Sequence, residues 1–88
     1  MKKEGTMKSV LVRLREYSSQ ASTTEKAVVT YILKNPKETS SMTIYQLADQ
    51  TFSSPSSIIR MCQKNGFEGY KDFTKALIYE LAVREHSQ

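Results

Sequence analysis

The chain has 88 residues with 13 Lys and Arg against 9 Asp and Glu, a formal charge of +4 and an isoelectric point near 9.3. That length suits one small domain. A hydrophobic share of 39% with 25% charged residues is a folded balance rather than a disordered one. The longest apolar run, Ala76 to Tyr79, is far short of the roughly 20 residues that span a bilayer, so no membrane segment is expected. One cysteine, Cys62, and one histidine, His86, exclude an internal disulfide framework, fit a reducing cytoplasm and leave no ordinary zinc ligand set.

Met1 to Met7 reads as a flexible N-terminal arm, and residues 8–85 as the domain. From Lys8, the apolar residues Val10, Leu11, Leu14 and Tyr17 recur at three and four, the period of an amphipathic helix. After a polar break, Ser22-Thr23-Thr24-Glu25 has the form of a capping box, in which hydroxyl and carboxylate satisfy the open amides of a helix start. Val28, Val29, Ile32 and Leu33 give this helix its stripe. Asn35-Pro36 stops it, because proline has no amide hydrogen and disfavours helical geometry before it.

Thr43-Ile44-Tyr45-Gln46 is a second capping box, with Met42 and Leu47 placed as a hydrophobic staple. This helix is short and ends near Gln50. After Thr51-Phe52-Ser53, Ser54 is a helix cap and Pro55 occupies the first helical position, where its missing amide hydrogen costs nothing. Ile58, Met61 and Cys62 share one face of the new helix, and Asn65-Gly66 ends it. Phe67-Glu68-Gly69 is a tight turn. A final helix carries Tyr70, Phe73, Leu77 and Leu81, with Ile78 widening the stripe, and frays near His86. Nothing alternates with period two, so the expected fold is all-α, a compact bundle of about five helices.

Two helices of about eight and twelve residues, joined by about three and with a capped, proline-led second helix, have the proportions of a helix-turn-helix. Such a crossing needs a small residue on the first helix, and Ala48 stands there. The second helix must leave a polar face for the DNA major groove. Counting by three and four from its start gives Ser56, Arg60 and Gln63, with Ser57 and Lys64 beside them.

Charge agrees without deciding the matter. Residues 1–16 carry Lys2, Lys3, Lys8, Arg13 and Arg15 against Glu4 and Glu16, net +3. Residues 54–75 carry Arg60, Lys64, Lys71 and Lys75 against Glu68 and Asp72, net +2. A solvated helix face accounts for such scatter as readily as a nucleic-acid footprint does.

Three stretches, TTEKAVVTYILKNP (23–36), MTIYQLAD (42–49) and SPSSIIRMCQKNGFEGYKDFTKAL (54–77), resemble the N-terminal DNA-binding domain of the RpiR family of bacterial transcription regulators. The resemblance runs from about 20 to 82. Its most specific part is Ser-Pro-x-Ser/Thr-x-x-Arg followed by Gly-Phe-x-Gly-Tyr/Phe. It implies sequence-specific binding of double-stranded DNA, a homodimer, and a regulator of sugar or sugar-phosphate metabolism. The phosphosugar effector would act only through a sugar-isomerase-like domain absent from this chain. One departure stands out. The family's turn often carries Gly where this chain has Phe52, so either the turn differs locally or Phe52 packs into the core.

Each candidate has a plainer role beside the DNA one. Ser54 and Pro55 first start a helix, whose open amides also suit a phosphate. Thr43 caps first and contacts phosphate second. Ser56 and Ser57 are solvated first-turn residues or groove contacts. Arg60 either pairs on the surface with Asp49 or Glu68, or turns its fork to guanine or phosphate. Gln63 and Lys64 are weaker candidates, Lys64 for phosphate. Ile59 either meets a thymine methyl or is partly buried against the last helix. Lys71 and Lys75 are solvated or touch backbone, while Lys2, Lys3 and Lys8 are placed to reach flanking phosphates or a minor groove. Cys62 reads as core. With no nucleophile–base pair and no phosphate-cradling glycine loop, no enzyme and no cofactor are expected. The competing reading is a protein-interaction or dimerisation module.

Overall fold

A computed structural model of the chain describes residues 9–86. The arm at 1–7, and with it the lysines at 2, 3 and 8, lies outside the described residues. Within the described residues six helices follow one another: α1 Val10–Tyr17, α2 Thr23–Lys34, α3 Pro36–Ser40, α4 Ile44–Gln50, α5 Pro55–Lys64 and α6 Tyr70–His86. A single 3-10 turn, Ser18–Gln20, links the first two, and no strand occurs among the described residues.

The caps form as the sequence implies. Ser22 accepts the Glu25 amide and Glu25 accepts the Ser22 amide, at 3.2 and 3.1 Å. Thr43 and Gln46 exchange the same pair of bonds at 3.1 and 2.9 Å. Such reciprocal bonds satisfy amides that a helix start would leave open. Pro36 ends α2 as expected, but it also opens the five-residue α3, one helix more than the sequence reading gives. Proline at a first helical position is preorganised for a start as well as a stop. Thr39 holds α3 in place, fully buried, with its hydroxyl donating to the Asn35 carbonyl at 2.8 Å.

The core gathers one face from every long helix: Leu14 from α1, Val28, Val29 and Ile32 from α2, Leu47 from α4, Ile58 and Met61 from α5, Phe73 and Leu77 from α6. Ile78 does not widen the α6 stripe and is 51% exposed. At about 100° per residue it stands well around the helix from Leu77. Phe67 closes the lower edge, ring edge toward Phe73 at 5.6 Å between centroids. Long-range polar contacts lock the frame. Glu80 of α6 accepts from the Ser9 hydroxyl and the Val10 amide at the start of α1. Tyr70 donates to the Met42 carbonyl at 2.9 Å. Arg13 donates to the Asn65 carbonyl at 2.9 Å and lies 5.0 Å from the centre of the Phe67 ring. Arg13, part of the basic excess in the sequence, is therefore a fastening for the end of α5.

A candidate nucleic-acid interface on the α4–α5 unit

The α4–α5 pair crosses where Ala48 is buried, leaving room for close approach. The chain then reverses through a helix-ending motif. The Ser53 amide donates to the Ala48 carbonyl at 2.9 Å and the Phe52 amide to the Asp49 carbonyl at 3.4 Å. This pairing requires a left-handed residue between them. Phe52 takes that role, with φ of 55°. Its ring does not pack into the core but stands 95% exposed. The turn thus has the shape glycine would give it, made with phenylalanine. Thr51 beneath it is buried and donates to the Leu47 carbonyl at 2.8 Å, which fixes the direction in which α5 leaves.

Ser54 caps α5 by accepting the Ser57 amide at 3.2 Å, and its hydroxyl also donates to the Ser57 hydroxyl at 3.1 Å. Pro55 occupies the first helical position. With Ile58, Met61 and Cys62 buried, the opposite side presents Ser56, Arg60 and Gln63 to solvent. Arg60 pairs with neither Asp49 nor Glu68: no ion pair or hydrogen bond holds it among the described residues. Gln63 donates to the Glu68 carbonyl at 3.3 Å on the exposed surface. Ile59 is 39% exposed and lines a cleft with Thr43, Ile44, Tyr70 and Lys71. That cleft joins the start of α4 to the outer face of α5 and the start of α6. Thr43 and Ile59 are therefore brought together.

Lys64 has a different setting. Its ammonium lies 3.3 Å from Glu25, the buried capping glutamate of α2, which also accepts from the Tyr17 hydroxyl at 2.8 Å. Burial pushes the Glu25 carboxyl up. The Ser22 amide, the Tyr17 hydroxyl and the Lys64 ammonium outweigh it, and the net effect holds that carboxyl below its ordinary range. The bond and the charge of Glu25 raise the Lys64 ammonium in turn. Cys62 is buried at the back of α5, and burial, with the Asp72 charge, pushes its thiol up to about 12. Such a thiol packs and does not react.

Sequence reasoning missed the Glu80 and Arg13 fastenings, because each joins residues more than fifty positions apart and no local pattern announces them. Free Arg60 beside committed Lys64 was equally invisible, since both follow the same helical spacing.

Comparison with known proteins places this geometry. The helix-turn-helix domain of the rpiR family matches residues 8–84. An uncharacterized HTH-type transcriptional regulator of Caldanaerobacter subterraneus subsp. tengcongensis is 33% identical over 76 residues, covering 86% of this chain and 27% of that protein. Among solved structures, the Vibrio vulnificus NanR protein complexed with ManNAc-6P superposes with a TM-score of 0.81 at 36% identity, over 84% of this chain and 28% of that one. The N-terminal domain of the putative transcriptional regulator ybbH of Bacillus subtilis shares the fold, with a TM-score of 0.79 at 23% identity, over 83% of this chain and 89% of that one. The chain thus spans a little over a quarter of the length of its full-length relatives. With its capped α5, its buried Ala48 crossing and a family match over nearly every residue, the chain belongs to the rpiR family of helix-turn-helix domains.

Proposed function

We propose that this domain reads double-stranded DNA sequence-specifically for a cytoplasmic transcriptional regulator of sugar or sugar-phosphate metabolism, acting as a homodimer. Helix α5 enters the major groove. Ser56, Arg60 and Gln63 face base edges, while Ser54 and Pro55 at the start of α5, with Ser57, lie nearest a phosphate. Thr43 meets a second phosphate from the start of α4. Ile59 sits between them, where a thymine methyl fits its exposed edge. Lys64 contributes charge near the backbone while tethered to Glu25.

The observation that carries this reading is Arg60: an exposed guanidinium with no partner among the described residues, at the centre of the polar side of α5. An arginine so placed can address guanine O6 and N7 together. The sugar link rests on the NanR relative, whose structure is described with ManNAc-6P. Any such effector would bind outside the residues of this chain. Two copies would read half-sites about 34 Å apart or a multiple of that.

Fluorescence anisotropy tests the reading, with duplexes drawn from upstream of the gene itself and of neighbouring sugar genes. Wild type should prefer one duplex over its scrambled form, and the affinity should fall with salt as counterions are released. Arg60→Ala should erase about 1–3 kcal/mol of that preference without changing the melting temperature. If every duplex binds alike, or none binds at low salt, the domain is an interaction module and the DNA reading fails.

A further inference from the structure

The outward side of α6 carries a stripe that the domain does not use for its own packing. Lys71, Lys75, Ile78, Ala82 and Glu85 recur at steps of four, three, four and three, and all are exposed. This spacing keeps side chains aligned along one face of a helix and suits packing against another helix. The opposite side of α6 buries Phe73 and Leu77 completely, so the stripe is a second face. Tyr79, 72% exposed, extends it on one flank.

The charges along the stripe are sorted. Both lysines lie toward the start of α6, the glutamate lies near its end, and the apolar pair lies between. Such a face is complementary to itself when turned end for end. With a two-fold axis beside residue 80, Ile78 meets Ala82 of a second copy, and Lys75 meets Glu85, each twice. The small side chain at 82 leaves room for the larger one at 78. Parallel pairing would instead set Lys75 on Lys75 and Glu85 on Glu85, like charge on like. Nothing among the described residues competes strongly for these groups. Lys75 has no ion-pair partner among the described residues. Glu85 lies 3.5 Å from Lys37 in a pair whose side chains stay 66% and 74% exposed, and water screens such a pair heavily.

We propose that α6 is a self-association surface that takes α6 of a second copy of this chain antiparallel, Ile78 on Ala82, with Lys75 paired to Glu85 across the two-fold axis. This rests on the homodimer reading above and supplies its interface. A closed two-fold contact uses the same patch on both copies, as this arrangement does.

Sedimentation velocity on the whole chain tests the proposal, from about 1 µM to 1 mM at low salt, with circular dichroism melts confirming that each variant folds. Lys75→Glu and Glu85→Lys should each weaken the dimer about tenfold, since each turns two attractive contacts into repulsive ones. The double variant Lys75→Glu/Glu85→Lys should return to within about threefold of wild type. Positions 75 and 85 of one helix lie about 15 Å apart, so only pairing between copies can restore it. Ile78→Asp should abolish association without lowering helicity. A wild type that remains monomeric throughout overturns both this surface and the homodimer reading. A dimer indifferent to the single variants overturns this surface and leaves the homodimer standing. A double variant that stays as weak as the singles overturns the antiparallel register.

Discussion

Replacing Phe52 should stabilise the domain, although phenylalanine is the larger and more hydrophobic residue. The same hydrogen-bonding motif ends both α4 and α5. At the second site the Phe67 amide donates to Cys62 and the Gly66 amide to Gln63, at 3.0 and 3.1 Å, and the left-handed residue is Gly66, with φ of 91°. At the first it is Phe52. A side chain in that region costs about 1–2 kcal/mol from the clash of its β-carbon with the following carbonyl. The ring returns little, because 95% of the residue is in water. Phe52→Gly removes the clash but adds chain entropy to the unfolded state, a cost of about 0.5–1 kcal/mol, for a net gain of about 0.5–1 kcal/mol. Phe52→Asn tolerates the conformation without the glycine entropy and should gain as much or more. For a domain of this size, 1 kcal/mol moves the melting temperature by about 4–8 °C. Differential scanning calorimetry on wild type and both variants measures this directly. If both variants melt at or below wild type, the ring is making contacts worth more than its exposure allows, and the strain argument is refuted.

Two further outcomes follow from buried groups. Glu25 titrates below its ordinary value of 4.5 in the folded domain. Its contribution is therefore complete above that value and disappears as pH falls through the lower folded one. Urea melts between about pH 3 and 7 should show wild type losing its advantage over Glu25→Gln as acid is added; a gap constant across that range would show that the Glu25 charge contributes nothing. The Cys62 thiol, raised to about 12, should resist a thiol-specific disulfide reagent at mildly alkaline pH and react at once in concentrated guanidinium. Prompt labelling of the native protein would mean that α5 opens from the core far more readily than its packing implies.

Much of the fold could be read because it is declared locally. The Ser22–Glu25 and Thr43–Gln46 boxes, Pro55 and Gly66 each announce a helix end within four residues, and their bonds form as written. The short α3 escaped because a proline that halts one helix gives no sign that it begins the next. Ile78 was misplaced by extending an apolar stripe one residue too far around the wheel. At the candidate interface the spacing selected the solvent-facing side of α5, since the buried Ile58, Met61 and Cys62 fix which side faces outward. It could not separate Arg60 from Lys64. That difference depends on Glu25, thirty-nine positions from Lys64, and on Tyr17 behind it.

The bond from Glu80 to the start of α1 has a mechanical consequence. It ties residues seventy and seventy-one positions apart, close to both limits of the described chain. Tension between the chain's ends is therefore carried from the first helix straight into the last, and α4 and α5 lie off that line. Whatever tugs on either end strains a carboxylate clasp first, while the α4–α5 unit keeps its shape.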